Sequence, residues 1–359
     1  MPSRSSGAFR SIFWAWRVYG PLADRFGRRL PLLFGVALFC VASFACAMAP
    51  TLEWLLAARF AQALGGCAGM VVTRAVVRDL CAPIDAAKAF SQLMLIMGVA
   101  PILAPLAGGA MLKVAGWPSI FWFLTLFSAL FALAVYFFLP ETLPEDTPPA
   151  RLGSALGRYL GLLREPVFMF HSLTGGVAMA GMFAYIAGSP YIFIEMYGLS
   201  VDHYAWLFGA NAAGFILFAQ LNSRLLRHNT PLSLLKGTTG VYCAATVTLL
   251  VVALLHSPNI WLFLPPLFCS VAVISLVIPN ASACALAGHG HQAGVASALM
   301  GTMQFAIAGL TSALVGVLHD GSSVPMALVM AGCGVVTVTM AFLARRASAR
   351  APQPNWASR

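Results

Sequence analysis

The sequence has 359 residues, of which 60% are hydrophobic and only 9% charged. A soluble domain carries about 25% charged residues, and no soluble fold of this length has an interior able to bury so much apolar surface. Disorder is excluded as well, because disordered chains are polar and charge-rich. What remains is an all-α membrane protein that crosses the bilayer many times. With about 20 apolar residues per span plus a short turn, there is room for roughly eleven crossings.

In chain order, hydropathy predicts ten spans, at 31–49, 54–76, 89–112, 119–139, 167–190, 203–223, 232–255, 260–284, 294–318 and 325–344. A weaker eleventh candidate lies at 9–22. The net charge of +10 is carried by bases in alternate loops. Arg25, Arg28 and Arg29 precede the first of the ten spans, and Arg74, Arg78 and Lys88 flank the next loop on that side. Arg151, Arg158 and Arg164 follow, then Arg224, Arg227 and Lys236, and finally Arg345, Arg346, Arg350 and Arg359. The opposite loops carry Glu53, Lys113, Glu195, Asp202 and Asp320. By the positive-inside rule the basic side is cytoplasmic, and so is the C-terminus. Bases spread in this way predict no nucleic-acid partner.

The segment 140–166 reads as a linker. It opens Pro140-Glu141-Thr142-Leu143-Pro144 and then becomes amphipathic, with Leu152, Leu156, Tyr159, Leu160 and Leu163 at helical spacing. A helix of this kind suits the cytoplasmic membrane interface. The linker divides an N-terminal bundle (1–139) from a six-helix C-terminal bundle (167–344), followed by a cytoplasmic tail (345–359). A basic loop running into a proline-led span recurs at Gly20–Leu33 and Asn222–Leu235, an echo of two related halves. Repeated halves around a midplane cavity are a transporter design.

Several motifs can carry chemistry. In Gly20-Pro21-Leu22-Ala23-Asp24-Arg25-Phe26-Gly27-Arg28-Arg29-Leu30-Pro31-Leu32, Gly20 and Gly27 permit a tight turn. Asp24 can cap a helix N-terminus or pair with an arginine. Arg59 falls inside a span, where a cation either faces a polar interior or partner, or snorkels to the surface. In Ala100 to Gly109, Pro101 and Pro105 lie one helical repeat apart and bend the same face, while Gly108 and Gly109 allow close helix contact. Tyr185, Asn211, Gln220, Asn280 and Gln304 are polar residues in apolar spans, which line a solvated path or hydrogen-bond between helices. The 8 cysteines show neither CxxC nor Cys/His ligand spacing, so no disulfide frame or metal site is expected. His289 and His291 alone make a poor metal site. The sequence lacks enzyme motifs of the H-E-x-x-H, G-x-S-x-G or Walker type, so no enzymatic activity is expected.

The Gly20–Leu32 loop resembles the signature G-x-L-x-D-R-x-G-R-R-x-x-L between the second and third spans of the major facilitator superfamily. Arg59-Phe60-Ala61-Gln62-Ala63-Leu64-Gly65-Gly66, Arg74 to Leu80, Ala100 to Gly109 and Tyr185-Ile186-Ala187-Gly188-Ser189-Pro190 are similar to stretches of its bicyclomycin/chloramphenicol-resistance branch of drug:proton antiporters. The resemblance covers about residues 19–344, with Ala63, Ala100 and Ala104 standing where the family has glycine. It implies two bundles that alternate access, a latch formed by Gly20, Asp24, Arg25, Gly27, Arg28 and Arg29, and a proton or substrate pathway that includes Arg59 and Gln62. It also implies a leak-sealing bend at Pro101, Pro105, Gly108 and Gly109. The expected protein is a monomeric exporter of drugs or metabolites in the bacterial inner membrane, with lipid and a small molecule as partners. The proton gradient would drive it, with no bound cofactor. An amino-acid or other metabolite exporter and a non-transporting remnant are the alternatives. Only 19 residues precede the loop where the family has two spans, so the chain is expected to be truncated at its N-terminus, with about ten or eleven spans of a usual twelve. The lost first span would hold the family's intramembrane acid, and the 11 acids here fall in loops or at span edges.

Overall fold

The computed structural model describes residues 27–80, 104, 107–142, 152–256, 259–287, 289 and 293–350. Every regular element among them is helical. Eight of these helices are long and apolar enough to cross a membrane. The chain forms two compact units, Met1–Leu152 and Gly153–Arg359. The weaker candidate at 9–22 and most of the span at 89–112 lie outside the described residues, although 107–115 is helical.

In unit 1, α1 (Arg29–Ala47) packs against both α2 (Leu52–Leu80) and α3 (Pro118–Phe138). Leu32, Val36, Val72, Val76 and Val135 make the common core at one end. Pro118 starts α3 where a missing N–H costs nothing, and Pro140 ends it by holding Leu139 extended. Much of α3 is uncovered, including Phe127, Leu130, Phe137 and Phe138. In a bilayer that surface faces lipid and carries no penalty. The 29 residues of α2 span about 44 Å at 1.5 Å per residue, more than the hydrocarbon core needs. Its close approach to α1 rests on small residues. A Cβ on Gly65 would lie 2.5 Å from both the Gly35 carbonyl oxygen and the Phe39 amide nitrogen. A Cβ on Gly35 would fall on the side chain of Ala68.

Unit 2 begins with the linker helix α4 (Leu152–Leu163) and continues with α5 (Pro166–Pro190), α6 (Val201–Leu225), α7 (Pro231–Leu254), α8 (Ile260–Leu286), α9 (Ala293–Val317) and α10 (Val324–Arg350). Helix α5 is central, packing on α8, α9 and α10, while α7 packs on α8 and α10 and α6 on α8. Side-chain caps start three of them: Ser200 accepts from the His203 amide, Thr230 from Ser233 and Asn259 from Trp261. The core holds Tyr185, Phe193, Phe263, Leu267, Met326 and Met330. Leu162 of α4 is buried against Phe168, Ala285 and Met300, so the linker helix caps the ends of α5, α8 and α9.

Two helices overrun their hydropathic limits. The span predicted to end at residue 190 continues beyond Pro190 as a π-helical turn, Tyr191–Met196. A proline supplies no N–H, and a widened turn takes up the altered hydrogen-bond register. Helix α10 passes Ala344 and runs to Arg350, into the segment read as a tail. Arginine is a good helix former, and the Arg346 guanidinium lies 4.4 Å from the Phe342 ring centroid.

Candidate functional site

At the end of unit 1 that holds the start of α1, three segments meet: the start of α1, the end of α2 and the residues just beyond α3. Arg28 is the N-cap of α1, and its Nε donates to Asp79 Oδ2 of α2 at 2.9 Å, with both side chains buried. The Glu141 carboxylate, just beyond α3, takes the Arg28 amide at 2.6 Å through Oε1 and the Arg29 amide at 3.2 Å through Oε2. Those amides are among the donors a helix start leaves without an intrahelical partner, and an anion there also meets the positive end of the helix dipole. Arg29 donates to the Tyr136 carbonyl and lies over the Tyr136 ring. Gly27 has φ +85°, and a Cβ on it would fall on the Glu141 carboxyl group. Glycine is therefore required twice over, by backbone conformation and by space. Gly20, Asp24 and Arg25 lie outside the described residues. Asp79 and Glu141 were not singled out as site residues in the sequence. Their only signal is an acid at the edge of a span, facing a basic loop.

Arg59 sits two turns into α2. Its Nη1 donates to Gln62 Oε1 at 2.6 Å, and the guanidinium lies 5.8 Å from the Phe121 ring centroid of α3. Gln62 is buried and passes its own Nε2–H to Ser43 Oγ of α1 at 2.7 Å, and Ser43 donates in turn to the Phe39 carbonyl at 2.7 Å. Each group uses donor and acceptor in one direction, so a continuous chain runs from a cation to the backbone of α1. Such chains polarise cooperatively in a low-dielectric setting. The sequence reading identified Arg59 and Gln62 but not Ser43, because a lone serine in an apolar run has no local signal. Of the helix-bend residues, a Cβ on Gly108 would stand 4.0 Å from Ile120 of α3, and Gly109 is half-buried. Pro101 and Pro105 lie outside the described residues.

The five polar residues of unit 2 fall in separate places. Tyr185 of α5 stacks on Phe208 of α6, with centroids 5.6 Å apart. Its polar neighbours are Ser189, Tyr204 and Asn211. Ser189 and Tyr204 share a 2.9 Å hydrogen bond, and Asn211 donates to the Leu207 carbonyl. The Tyr185 hydroxyl and Asn211 Oδ1 are buried without a hydrogen bond of ordinary geometry. Asn280 is taken up in a helix clamp: its Nδ2 donates to Asn222 Oδ1 at 2.7 Å and to the Leu276 carbonyl at 2.8 Å. Gln304 of α9 lies against Gly175 and Gly176 of α5, where a Cβ would stand 3.3 Å from Gln304 Cγ. Gln220 is exposed on α6. The structure thus joins Tyr185 to Asn211 and leaves the other three apart. No cluster of three or more His, Cys, Asp or Glu able to hold a metal occurs among the described residues.

A family model described as Major Facilitator Superfamily matches residues 18–313. The chain belongs to this superfamily. It is 35% identical over 316 residues to the uncharacterized MFS-type transporter YdgK of Bacillus subtilis, covering 87% of this chain and 78% of that protein. It is 28% identical to a bicyclomycin resistance protein homolog of Haemophilus influenzae, over 92% of this chain and 82% of the relative. Multidrug resistance protein MdtL of Shigella flexneri is also 28% identical, over 89% of this chain and 80% of its own. Among solved structures, a D-xylose–proton symporter superposes with a TM-score of 0.70 at 15% identity, covering 94% of this chain and 84% of that one. A bacterial homolog of the human lysosomal transporter Spinster gives 0.65 at 16%, covering 93% and 89%. At these identities the structural likeness establishes the fold alone, and the family match makes the chain a membrane transporter of the superfamily.

Proposed function

We propose that this chain is a proton-coupled exporter of small drug-like molecules in the bacterial inner membrane, working by alternating access as a monomer with its C-terminus in the cytoplasm. The observation that carries the reading is the chain from Arg59 through Gln62 to Ser43, an exposed cation of α2 tied by neutral groups to the backbone of α1. With α2 read as a span, as hydropathy predicts for 54–76, an arginine within it marks an ion or substrate path by default. The charged end of unit 1, with Arg28, Asp79 and Glu141, is then the cytoplasmic latch, since the bases gather on that side. The resistance proteins among its relatives supply the substrate class. Protons are the coupling ion, and no bound cofactor is invoked.

The test is uptake into everted membrane vesicles that hold this protein, with an acid interior and either bicyclomycin or ethidium outside. The expected result is accumulation that a protonophore abolishes, that ATP depletion leaves alone, and that Arg59→Ala removes without lowering the amount of folded protein. Flux of neither compound from a folded, membrane-inserted protein overturns drug export. Flux that ignores the protonophore overturns proton coupling. Reporter fusions after Arg359, active only in the cytoplasm or only outside it, decide the orientation.

A further inference from the structure

His289 lies in the connection between α8 and α9, yet its side chain is only 9% exposed. Its Nε2 is 2.7 Å from Oε2 of Glu165, a residue at the junction of α4 and α5. Glu165 occupies the N-cap position of α5, where a carboxylate would ordinarily bond the first amides of its own helix, but its side chain makes no such bond. It turns to the imidazole instead. The Phe168 ring closes over the contact edge-on, with centroids 5.6 Å apart, and Phe168 is itself packed with Leu162 of the linker helix. The other ring nitrogen, Nδ1, is buried with no hydrogen-bond partner among the described residues. One contact to a carboxylate therefore holds an otherwise loop-borne side chain in place.

Among the described residues, the surroundings bring little other charge. Helix α4 carries Arg158 and Arg164, both exposed, and Tyr159 in the apolar cluster. Helix α5 brings His171 further along, α8 brings Cys284, and the described start of α9 from Val295 to Met303 has no titratable side chain. Imidazole is the side chain whose ordinary titration falls in the physiological range. Protonated, it makes a charge-assisted bond to Glu165, and neutral it keeps only the weaker bond from one ring N–H. We infer that His289 and Glu165 form a proton-operated clasp, which fastens the end of α8 to the α4–α5 junction while the imidazole is charged and loosens when the proton leaves. The clasp joins the linker helix to a connection between two helices of unit 2, so the proton activity on the basic side sets whether these segments move together. Its existence does not depend on which substrate is carried.

The test is hydrogen exchange on the full chain in lipid nanodiscs at about pH 6 and pH 8, bracketing the imidazole range and corrected for intrinsic exchange. Peptides over Arg164–Met169 and Leu286–His289 report the two sides, through the amides of Met169 and His289 that bond to Glu165 and Leu286 carbonyls. Residues Ser323–Ala327, at the opposite end of the unit, serve as control. The corrected exchange of both reporting peptides is expected to be about five-fold faster at pH 8, the ratio between a charged and a neutral hydrogen bond. His289→Gln keeps a donor that does not titrate, and should remove the difference. Equal protection of the wild-type chain at both pH values, or a difference that survives in His289→Gln, overturns the clasp. Should that variant fail to fold, Glu165→Gln leaves the imidazole in place, and an undiminished pH difference overturns the inference equally.

Discussion

Two adjacent glycines of α2 should respond differently to the same added methyl group. In Gly65→Ala the new Cβ would sit 2.5 Å from the Gly35 carbonyl oxygen and the Phe39 amide nitrogen, both backbone atoms of α1. Ordinary contact is near 3.5 Å, so the helices must part by about 1 Å. Overpacking of that kind costs about 1–3 kcal/mol. The separation also reaches the site: Gln62, less than one turn away, donates to Ser43 at 2.7 Å across the same interface. Adding about 1 Å takes this contact past the limit of a hydrogen bond. Gly66→Ala is the control, because its Cβ would meet only the edge of the Phe39 ring at 3.6 Å, an ordinary contact. Thermal unfolding of the purified protein in mild detergent should show a midpoint several degrees lower for Gly65→Ala and unchanged for Gly66→Ala. Transport should fall in parallel, and Gln62→Leu should lower it in the same way. Equal midpoints for the two alanine variants would refute the reasoning, for they would show that the α1–α2 crossing does not hold the Arg59 chain.

Gly27→Ala should destabilise unit 1 by about 2 kcal/mol, through positive φ and displacement of the Glu141 carboxylate, and Glu141→Gln should cost less than Glu141→Ala because it keeps one acceptor oxygen for the α1 amides. Unfolding midpoints of the three variants check that order. Asn222→Ala and Asn280→Ala should each cost about 1 kcal/mol and should be non-additive in the double variant, since they break one shared bond; strict additivity in a thermal-unfolding cycle would refute the clamp. On the opposite side of unit 2, hydrogen bonds from the Ser322 side chain and then its backbone amide hold the exposed Asp320 carboxyl below its ordinary range. Its folded-state pKa is depressed, so the support this turn gives is present above the ordinary carboxylate range and lost as pH falls through the folded value. Carbon NMR of labelled aspartate should show Ser322→Ala moving the Asp320 titration upward, and no movement would refute the assignment.

Composition alone settled the fold class, because no soluble interior can hide so much apolar surface. The resemblance of the loop before α1 to the superfamily signature pointed to Gly27, Arg28 and Arg29, and the structure places all three in one charged junction. The sequence left undetermined which acid answers them. Asp79 lies 51 residues from Arg28 and Glu141 lies 113. Neither distance has a period that local reasoning can detect. The five polar span residues show the same limit: all five have the same signature, an amide or phenol in an apolar run, and helix packing alone separates the Asn280 clamp from the Tyr185–Asn211 pair.

The sequence by itself determined that the chain lives in a bilayer, where the described helices lie within a few residues, and which loops are basic. These follow from hydropathy and charge, which act residue by residue against the solvent. Tertiary structure alone decided which small residues let α1 and α2 touch, which hydroxyl completes the Arg59 chain, and that a loop histidine closes on the helix-capping Glu165. Lipid is as apolar as leucine, so helices inside a membrane gain nothing from hydrophobicity when they choose partners. Shape and a few hydrogen bonds make the choice, and both belong to pairs of surfaces rather than to a string of residues.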